Sequence, residues 1–332
     1  MNPGAGQPSP AATRRTGPHP VGGRTVLILT GRLDPTADLV VAELNRRDVP
    51  VFRCDPADFP QRLDVSAEFD GRWTGTLRSP HRELSLDDIR SAYYRRPGAI
   101  AAGADLATPD RDWATAEARG GFGGLLAAVP RWLNHPTHMD HAEHKPVQLA
   151  AAAAAGLATP RTLITNDPQA AHNFVATVPR AVYKAFCSTV RHDNNRRFIY
   201  TTVVGAADLD DDAIRVTAHQ FQEWVPKKYE IRLTVVDDQF FAARLTGRSS
   251  DAHIDWRSDY DNIEYAVADV PPPVRAAVTH LLADLGLRFA AMDFAVRPDG
   301  TWVFLDLNPN GQWGWIEHET GLPICAAIAS AL

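Results

Sequence analysis

The feature of this sequence that most restricts its fold is the stretch MDFAVRPDGTWVFLDLNPNGQW, residues 292–313. Asp299-Gly300 favours a two-residue hairpin turn, and apolar residues fill both flanking arms. With the turn at this dipeptide, Asp293 and Asp306 lie at equal distances from it and face each other across the two strands. Like charges in such positions repel each other. The pattern therefore predicts a hairpin that binds a cation between its acidic residues.

A third polar residue joins this pair, because Asn308 lies two residues beyond Asp306 and side chains alternate between the faces of a strand. Carboxylate and amide oxygens suit Mg²⁺ or Mn²⁺. The alternative is an exposed hairpin with unconnected acidic residues. Apolar neighbours favour burial and hence the metal site: Phe294, Val303, Leu305 and Leu307. Mg²⁺ usually shares its ligand shell with phosphates, so a nucleotide is implied as well.

The N-terminal end of the chain predicts an α/β domain. The apolar run over 25–31 is typical of a buried parallel strand, and it is followed by a predicted helix over 36–48 and a second strand over 49–55. Strand, helix and strand in this order form the start of a βαβ unit. The fold class is therefore α/β, with α+β lobes further along the chain.

Periodicity and turn signals place the other elements and divide the chain. We expect a hairpin at Asp70-Gly71 and a helix over 105–128, with Trp113 and Phe122 in the core and a break at the glycines of 120–124. A helix over 140–155 should follow, and then strands over 181–186 and 196–204 joined by a loop over 187–195. The remaining predicted elements are a hairpin over 230–245 that turns at Asp237-Asp238, a loop over 246–270 and a helix over 272–285. The expected divisions are a disordered tail over 1–23, an N-terminal domain over 24–130 and a region over 131–332, with a central lobe over about 131–220 and a C-terminal lobe over about 221–332.

Composition excludes several classes of protein. The chain of 332 residues has 34 basic and 40 acidic residues, and no long basic stretch suggests binding to nucleic acid. Three widely spaced cysteines predict neither a disulfide framework nor a metal cluster. The sequence has no run of about 18 apolar residues, the length needed for a membrane span. The N-terminus also lacks the apolar core of a secretory signal. We expect a cytoplasmic protein.

Two lysines and two acidic residues are candidates for a nucleotide site. Lys184 lies within the apolar strand VYKAF, where it either lies at an edge or pairs with an anion. Lys145 begins an alanine-rich helix, a position that is more often exposed surface. Glu223-Trp224-Val225 and Glu230 flank a proline break, which suits a purine and a ribose but equally suits an ordinary loop.

Two arginines lie on the arms of the following hairpin. Arg232 and Arg244 would stabilise phosphate charge if they point into a site, and they would be solvated strand residues otherwise.

Taken in order, these residues resemble the ATP-grasp ligase superfamily, and within it the graspetide (microviridin-type) maturases of ribosomal peptides. The resemblance extends from about residue 68 to 313, with a weaker match from 25. It is carried by the phrases DGRWTGTL, DDIRSAYYRRP, WLNHP, HKPVQL, GLATPRTLITN, FQEWVPKKYEIRLTVV, HIDWR and the C-terminal acidic motif. The YYRRP, DWR and NPNGQW phrases are the ones that resemble the peptide-maturase branch.

The resemblance implies an ATP-grasp fold with an N-terminal parallel-sheet pre-ATP-grasp domain, and it implies a role for each candidate. Lys145 and Lys184 would contact ATP phosphates from the central lobe. Glu223 with the backbone of Trp224 and Val225 would bind adenine, Glu230 ribose, and Asp293, Asp306 and Asn308 the Mg²⁺ ions, two in number, with Mn²⁺ as an alternative. Arg232 and Arg244 would stabilise the transferred phosphoryl group, and Asp255 and Arg257 would lie near the acceptor. The loop over 187–195 departs from the family because it lacks the glycines of a phosphate cover.

The function implied is ATP-dependent macrocyclisation of a precursor peptide that carries a leader and a core rich in Asp/Glu and in Thr, Ser or Lys. Core carboxylates would be activated as acyl phosphates and joined to hydroxyls or to lysine amines of the same peptide. One alternative is an ATP-grasp ligase that adds a free amino acid to a peptide or small acid. A second is a non-catalytic leader-peptide or nucleotide-binding module. The resemblance also implies a homodimer, and the charge and the lack of a long apolar run predict no nucleic-acid or membrane partner.

Overall fold

The computed structural model describes residues 24–103, 105–187, 189–192, 195–249 and 254–332. The predicted tail over 1–23 lies outside the described residues. Successive elements at the N-terminal end are β1 (Thr25–Thr30), α1 (Pro35–Arg46), β2 (Val51–Cys54), β3 (Asp64–Phe69), β4 (Trp73–Arg78), β5 (Glu83–Ser85) and β6 (Ile89–Arg95). Strands β2, β1 and β6 form a parallel sheet in that order, and β3, β4 and β5 form an antiparallel one. The predicted α/β domain is confirmed.

Local sequence explains the first βαβ unit. Strand β1 is buried along its whole length, as a parallel strand between two neighbours should be. Helix α1 begins where the Asp34 carboxylate accepts hydrogen bonds from the backbone N–H groups of Thr36 and Ala37, with Pro35 in the first turn.

The segment that follows β6 differs from its prediction. Helix α2 (Thr108–Ala118) continues through a π-type turn over Arg119–Gly123 into α3 (Gly124–Ala127), so the glycines do not break the helix. Phe122 is buried as predicted, but Trp113 is 68% exposed, because α2 contributes only Ala118 to the core. Backbone bonds then join Arg131 and Leu133 to Ala92 of β6, so the N-terminal unit extends beyond the expected limit at 130.

The predicted helix over 140–155 is two helices, α4 (Pro136–Ala142) and α5 (Lys145–Ala154). Pro146 lies in the first turn of α5, where its missing N–H costs nothing, and it cannot continue α4. The buried alanines of α5 pack into the core that the C-terminal sheet forms with its covering helix, residues 272–284. Lys145 is therefore presented from the C-terminal lobe, and the expectation that it comes from the central lobe is wrong.

A four-stranded antiparallel sheet forms the central lobe. Its elements are β7 (Thr162–Thr165), α6 (Pro168–Thr177), β8 (Ala181–Lys184), β9 (Thr189–His192), β10 (Asn195–Phe198), β11 (Thr202–Val204), α7 (Asp211–Val216) and β12 (His219–Glu223), with strand order β11-β8-β12-β7. Strands β9 and β10 pair as a separate hairpin. Part of the predicted loop over 187–195 is therefore a strand, and Ser188, Asp193 and Asn194 lie outside the described residues.

The C-terminal lobe is a five-stranded antiparallel sheet in the order β15-β14-β13-β16-β17. Its elements are β13 (Tyr229–Val236), β14 (Gln239–Gly247), β15 (Ile263–Ala268), α8 (Pro272–Asp284), β16 (Phe289–Val296), β17 (Trp302–Asn308), α9 (Gly314–Thr320) and α10 (Ile324–Ala331). Strand β15 contradicts the predicted loop over 246–270. The hairpin turn at Asp237-Asp238 is confirmed, and Asp237 takes a positive φ of 51° there.

The acidic hairpin of β16 and β17 reaches the predicted pairing by a different route. The turn has three residues between Arg297 and Thr301, with Gly300 at φ 88°, so the first pairs above it are offset by one from the prediction. A β-bulge at Leu305 then shifts the register by one residue, and Asp293 does lie opposite Asp306. The predicted two-residue turn is wrong, whereas the predicted pair is confirmed.

The C-terminal helix packs against the N-terminal domain. Helix α10 packs against α1, and both share one buried cluster with β1. Among the described residues, no helix combines the length and the apolar character that a bilayer crossing demands.

Candidate active site

Asp293 and Asp306 lie opposite each other on β16 and β17, and each has a cationic partner. Arg232, directly across from Asp293 on β13, donates from Nη1 to Asp293 Oδ1 at 2.9 Å. The Lys145 ammonium, at the start of α5, donates to Asp306 Oδ1. Burial alone would raise the pKa of Asp306, but Lys145 and Lys184 outweigh it and hold this pKa below its usual value. The two lysines therefore keep Asp306 ionised.

The β-bulge also orients Lys184. From β8, its ammonium donates to the main-chain oxygen of Leu305, the extra residue of the bulge, at 3.2 Å and to Gln222 Oε1 at 3.4 Å. Burial lowers the pKa of Lys184, and the nearby charge of Asp306 offsets only part of this effect. A half-buried ammonium with two long hydrogen bonds to neutral oxygens is suited to an anionic ligand.

Two adjoining cavities meet at this cluster. Counted together with the open space at their mouths, the first measures about 510 Å³ and the second about 1600 Å³. Their common wall consists of Lys184, Thr201, Asp255, Arg257 and Asp306. Asp293 lines only the first cavity, and Lys145 and Asn308 line only the second. The acidic pair thus lies at the boundary between two spaces of different size.

The first cavity contains every residue expected to bind adenosine: Glu223, Trp224, Val225 and Glu230. The backbone N–H of Trp224 already donates to the oxygen of Arg180 at 2.9 Å, so this group is not available to a purine as expected. Glu230 is buried and accepts a hydrogen bond from the Lys227 ammonium. Burial raises the pKa of Glu230, and Lys227 offsets this effect only in part.

Lys227 is a site residue that the sequence analysis missed. Its ammonium joins the Glu230 carboxylate to the main-chain oxygen of Ile254, at 3.1 Å from the latter. The spacing of three residues between Lys227 and Glu230 was the available signal, but Pro226 suggested an irregular loop whose side chains could not be placed.

Asp255 and Arg257 form a tight pair on the common wall. The Asp255 carboxylate accepts from Arg257 Nε at 2.9 Å and from the backbone N–H of Thr201 at 3.0 Å. Burial would raise the pKa of Asp255, but Arg257 and these N–H donors outweigh it and lower the pKa to about 2. Arg257 Nη2 reaches the second carboxylate oxygen only at 3.4 Å. Arg257 is the only one of the three predicted arginines that lines the cavities described here.

The other two arginines do not face the cavities as expected. Arg232 is 6% exposed, and its guanidinium is bonded to Asp293 and to the main-chain oxygen of Gln312. Arg244 pairs with Ile231 across β13 and β14, so it projects from the opposite face of the sheet, where its guanidinium lies 5.6 Å from the ring centre of Tyr229. The expected joint contact of Arg232 and Arg244 with a phosphoryl group is therefore wrong.

Asn308 lines the second cavity, but its Oδ1 atom accepts the backbone N–H of Asn310 at 3.0 Å. No three His, Cys, Asp or Glu side chains gather into a metal site within the described part of the chain. The cation ligands available are thus two aspartates and one amide, a sparse oxygen set that fits Mg²⁺ because this ion keeps several waters and phosphate oxygens.

A family model described as the MvdD pre-ATP-grasp domain matches residues 25–140. Comparison with curated proteins gives no significant match. Among solved structures, the RiPP-associated ATP-grasp ligase of Chryseobacterium gregarium, in complex with ADP and a leader and core peptide, is 28% identical. The alignment covers 93% of this chain and 96% of that chain, with a TM-score of 0.85.

Two further structures are similar over nearly their whole length. Macrocyclase MdnB from Microcystis aeruginosa MRC is 30% identical, with 92% of this chain and 98% of that chain covered and a TM-score of 0.77. The ATP-grasp ligase PsnB, complexed with a minimal precursor, Mg and ADP, is 25% identical, with 92% and 95% covered and a TM-score of 0.70. The chain therefore belongs to the ATP-grasp ligases of ribosomal peptide maturation, and it is an ATP-dependent ligase.

Proposed function

We propose that this ligase forms ring-closing ester or amide bonds within a ribosomally made precursor peptide. The observation that carries the proposal is the position of Asp306, on the wall between a small cavity lined by the adenosine candidates and a larger cavity open to an extended substrate. A reaction that transfers a phosphoryl group from a nucleotide to a peptide requires such a shared boundary.

ATP would occupy the smaller cavity. Glu223 and the backbone of Val225 would contact the purine, and Glu230 would accept hydrogen bonds from the ribose hydroxyls once Lys227 turns away. Lys184 would contact the phosphates, because its half-buried ammonium contacts a carbonyl and an amide oxygen, and no carboxylate among the described residues forms an ion pair with it. Lys145 would also contact the phosphates, once its ammonium has released the Asp306 carboxylate. Complexes of two similar ligases with ADP support this assignment.

Two Mg²⁺ ions would be bound by Asp293, Asp306 and Asn308, and Mn²⁺ could replace them. The metal would neutralise charge that develops on the phosphates. The two carboxylates are paired with Lys145 and Arg232 in this structure. Lys145 is the partner that must move, because Arg232 approaches Asp293 from within the sheet and leaves its cavity side open. PsnB was solved with Mg and ADP, which supports the choice of ion.

The reaction would proceed in two steps that this chain assists by placement and charge. A core carboxylate oxygen attacks the γ-phosphorus of ATP, ADP leaves, and an acyl phosphate forms. A hydroxyl or amine of the same peptide then attacks the carbonyl carbon, inorganic phosphate leaves and a proton is released. Arg257 is held by Asp255 on the boundary wall, where it would offset the negative charge of the phosphoryl group during both steps.

The partner would be a precursor peptide with a leader and a core that supplies Asp or Glu together with Thr, Ser or Lys. The Chryseobacterium gregarium ligase was solved with a leader and core peptide, which supports this class of partner. We further propose that the N-terminal domain, from residue 24 to just beyond 130, acts as the pre-ATP-grasp domain. The central lobe and the C-terminal lobe, with α5 in the latter, would enclose the nucleotide. We also propose that the chain forms a homodimer, which light scattering of the purified protein will test.

Intact-mass spectrometry tests the proposed reaction directly. The protein is incubated with ATP, Mg²⁺ and a candidate precursor peptide encoded near its gene. We expect the peptide to lose the mass of one water for each bond formed, and treatment with mild base then reopens esters but not amides. A mass gain of one amino-acid residue, when free amino acids are supplied, would instead establish the alternative ligase. ATP consumption without any change in peptide mass would contradict ring closure.

A further inference from the structure

A fully buried arginine connects the N-terminal domain to the acidic pair. Arg95, the last residue of β6, is 0% exposed. It donates from Nη1 to the main-chain oxygen of Asn310 at 2.6 Å and from Nη2 to Gln312 Oε1 at 2.5 Å. Its Nε atom lies 3.7 Å from the Asp34 carboxylate. An arginine in this position costs desolvation energy, which its fixed hydrogen bonds must offset.

The chain of contacts continues from the loop after β17 to the site. The main-chain oxygen of Gln312 accepts a hydrogen bond from Arg232 Nη2 at 3.0 Å, and Arg232 Nη1 donates to Asp293. Arg95 thus binds the side chain of Gln312, and Arg232 binds the backbone of the same residue. Gln312 therefore links Arg95 directly to the Arg232 guanidinium.

The loop passes very close to Ala291 and Arg232 at Gly311. A Cβ atom on Gly311 would lie 2.4 Å from the Cβ of Ala291 and 3.1 Å from Arg232 Nη2, so only glycine lets the backbone approach this closely. The Gln312 side chain is fixed from a second direction, because Thr36 Oγ1 donates to its Oε1 atom at 2.8 Å.

We propose that Arg95 is a positioning residue that sets the metal-binding geometry of Asp293 through Gln312 and Arg232. This proposal rests on the proposed function, since it takes Asp293 as a Mg²⁺ ligand. It assigns a purpose to two residues that the nucleotide site does not use, Arg95 of the YYRRP phrase and Gln312 of the NPNGQW phrase. The N-terminal domain, through β6, would then take part in metal binding without touching the ion.

Binding of Mn²⁺ tests the proposal without measuring turnover. Full-length protein is titrated with Mn²⁺ in the presence of ADP, and free Mn²⁺ is followed by its electron paramagnetic resonance signal. Loss of residues that orient metal ligands typically weakens metal binding by about 10- to 100-fold. We expect Arg95→Gln to weaken Mn²⁺ binding within this range, while ADP binding without metal changes by less than about twofold.

Arg288 provides the matched control. It is also a junction arginine, which donates to both Asp237 carboxylate oxygens, to the oxygen of Trp132 and to that of Ala331. None of these groups contacts the acidic pair. Arg288→Gln should lower the thermal midpoint of unfolding and leave Mn²⁺ binding unchanged. Equal Mn²⁺ binding by Arg95→Gln and wild type would overturn the proposal.

A milder variant covers the case in which Arg95→Gln does not fold. Gln312→Met removes the side-chain acceptor of Arg95 but keeps the main-chain oxygen that binds Arg232. We therefore expect it to weaken Mn²⁺ binding by a smaller factor than Arg95→Gln does. Unchanged binding by Gln312→Met would also count against the proposal. If wild type itself binds no Mn²⁺ with ADP, the proposed metal site fails, and this outcome is distinct from a failure confined to Arg95.

Discussion

The two faces of the C-terminal sheet differ sharply, although the same strands build both. On one face, Glu230 and Arg232 of β13 lie beside Asp293 of β16. On the other, Ile231 and Leu233 lie beside Phe294 and pack against helices α5 and α8. A single residue step along β13 therefore separates ion pairing from core packing. The comparison teaches that the face on which a strand residue lies decides its role more than its residue type does, as the two arginines of this hairpin illustrate.

The largest effect is expected on the charged face. Asp306→Asn keeps the size of the side chain but leaves Lys145 and Lys184 without their shared counter-charge and removes a proposed metal ligand. We expect turnover to fall by at least about a hundredfold, the loss typical when a preorganised charge is removed from a reaction site. Intact-mass spectrometry of the peptide product measures it. Asp299→Asn, in the exposed turn of the same hairpin, is the control, and an active Asp306→Asn enzyme would refute the proposed metal site.

The opposite face should respond in stability and not in binding. Leu233 is fully buried in the core behind β13. Leu233→Ala should lower the free energy of unfolding by about 2–5 kcal/mol, because it leaves a cavity. Urea denaturation measures this loss, and Val267→Ala, at an exposed position of β15, should change stability by no more than about 0.5 kcal/mol. ADP affinity of the folded Leu233→Ala protein should equal that of wild type, and a large loss would mean that the two faces are not independent.

A smaller effect of pH is expected at Asp255. Its pKa is lowered to about 2 in the folded chain from a usual 3.8, so the fold favours its charged form. This contribution is complete above about pH 4 and is lost as the pH falls towards 2, and it amounts to about 2 kcal/mol. The difference in unfolding free energy between wild type and Asp255→Asn should therefore shrink over this range. A difference that stays constant from pH 5 to 2 would show that Asp255 is not stabilised as its contacts indicate.

The smallest effect is expected for the arginine on the apolar face. Arg244→Gln should leave turnover within about twofold of wild type and should cost about 0.5–1 kcal/mol of stability through its lost contact with Tyr229. Arg257→Gln, assayed in parallel, should lower turnover much further. A loss with Arg244→Gln that matches Arg257→Gln would contradict the assignment of Arg244 to the opposite face.

Much of the fold was predictable because hydrophobic pattern and turn chemistry are local properties. The first βαβ unit, the turn at Asp237-Asp238 and the acidic pair all follow from such patterns. The position of Arg244 was also within reach, because the predicted turn already places Arg232 and Arg244 on opposite faces of the hairpin. Strand β15 was not, since an edge strand with half-buried residues lacks a strong apolar pattern.

The rest of the site depends on tertiary contacts that sequence spacing does not contain. Lys145 meets Asp306 only because α5 packs behind the C-terminal sheet, and Lys227 meets Glu230 only because the chain turns after Pro226. Trp113 shows the converse, since its helical spacing suggested a core face that no other element covers among the described residues. In each case the missing information was the relative position of elements distant in sequence.

The extra residue in β17 has a consequence for how such chains tolerate length changes. Deletion of Leu305 would restore a regular ladder and still leave Asp306 opposite Asp293, because the bulge lies between the turn and the pair. The deletion would, however, remove the carbonyl that accepts the Lys184 ammonium. If a related chain lacked the residue at position 305, a sequence alignment would still match both aspartates. That chain would nevertheless lack the carbonyl that accepts the Lys184 ammonium here. Conservation of the acids alone is therefore an incomplete criterion for an intact site.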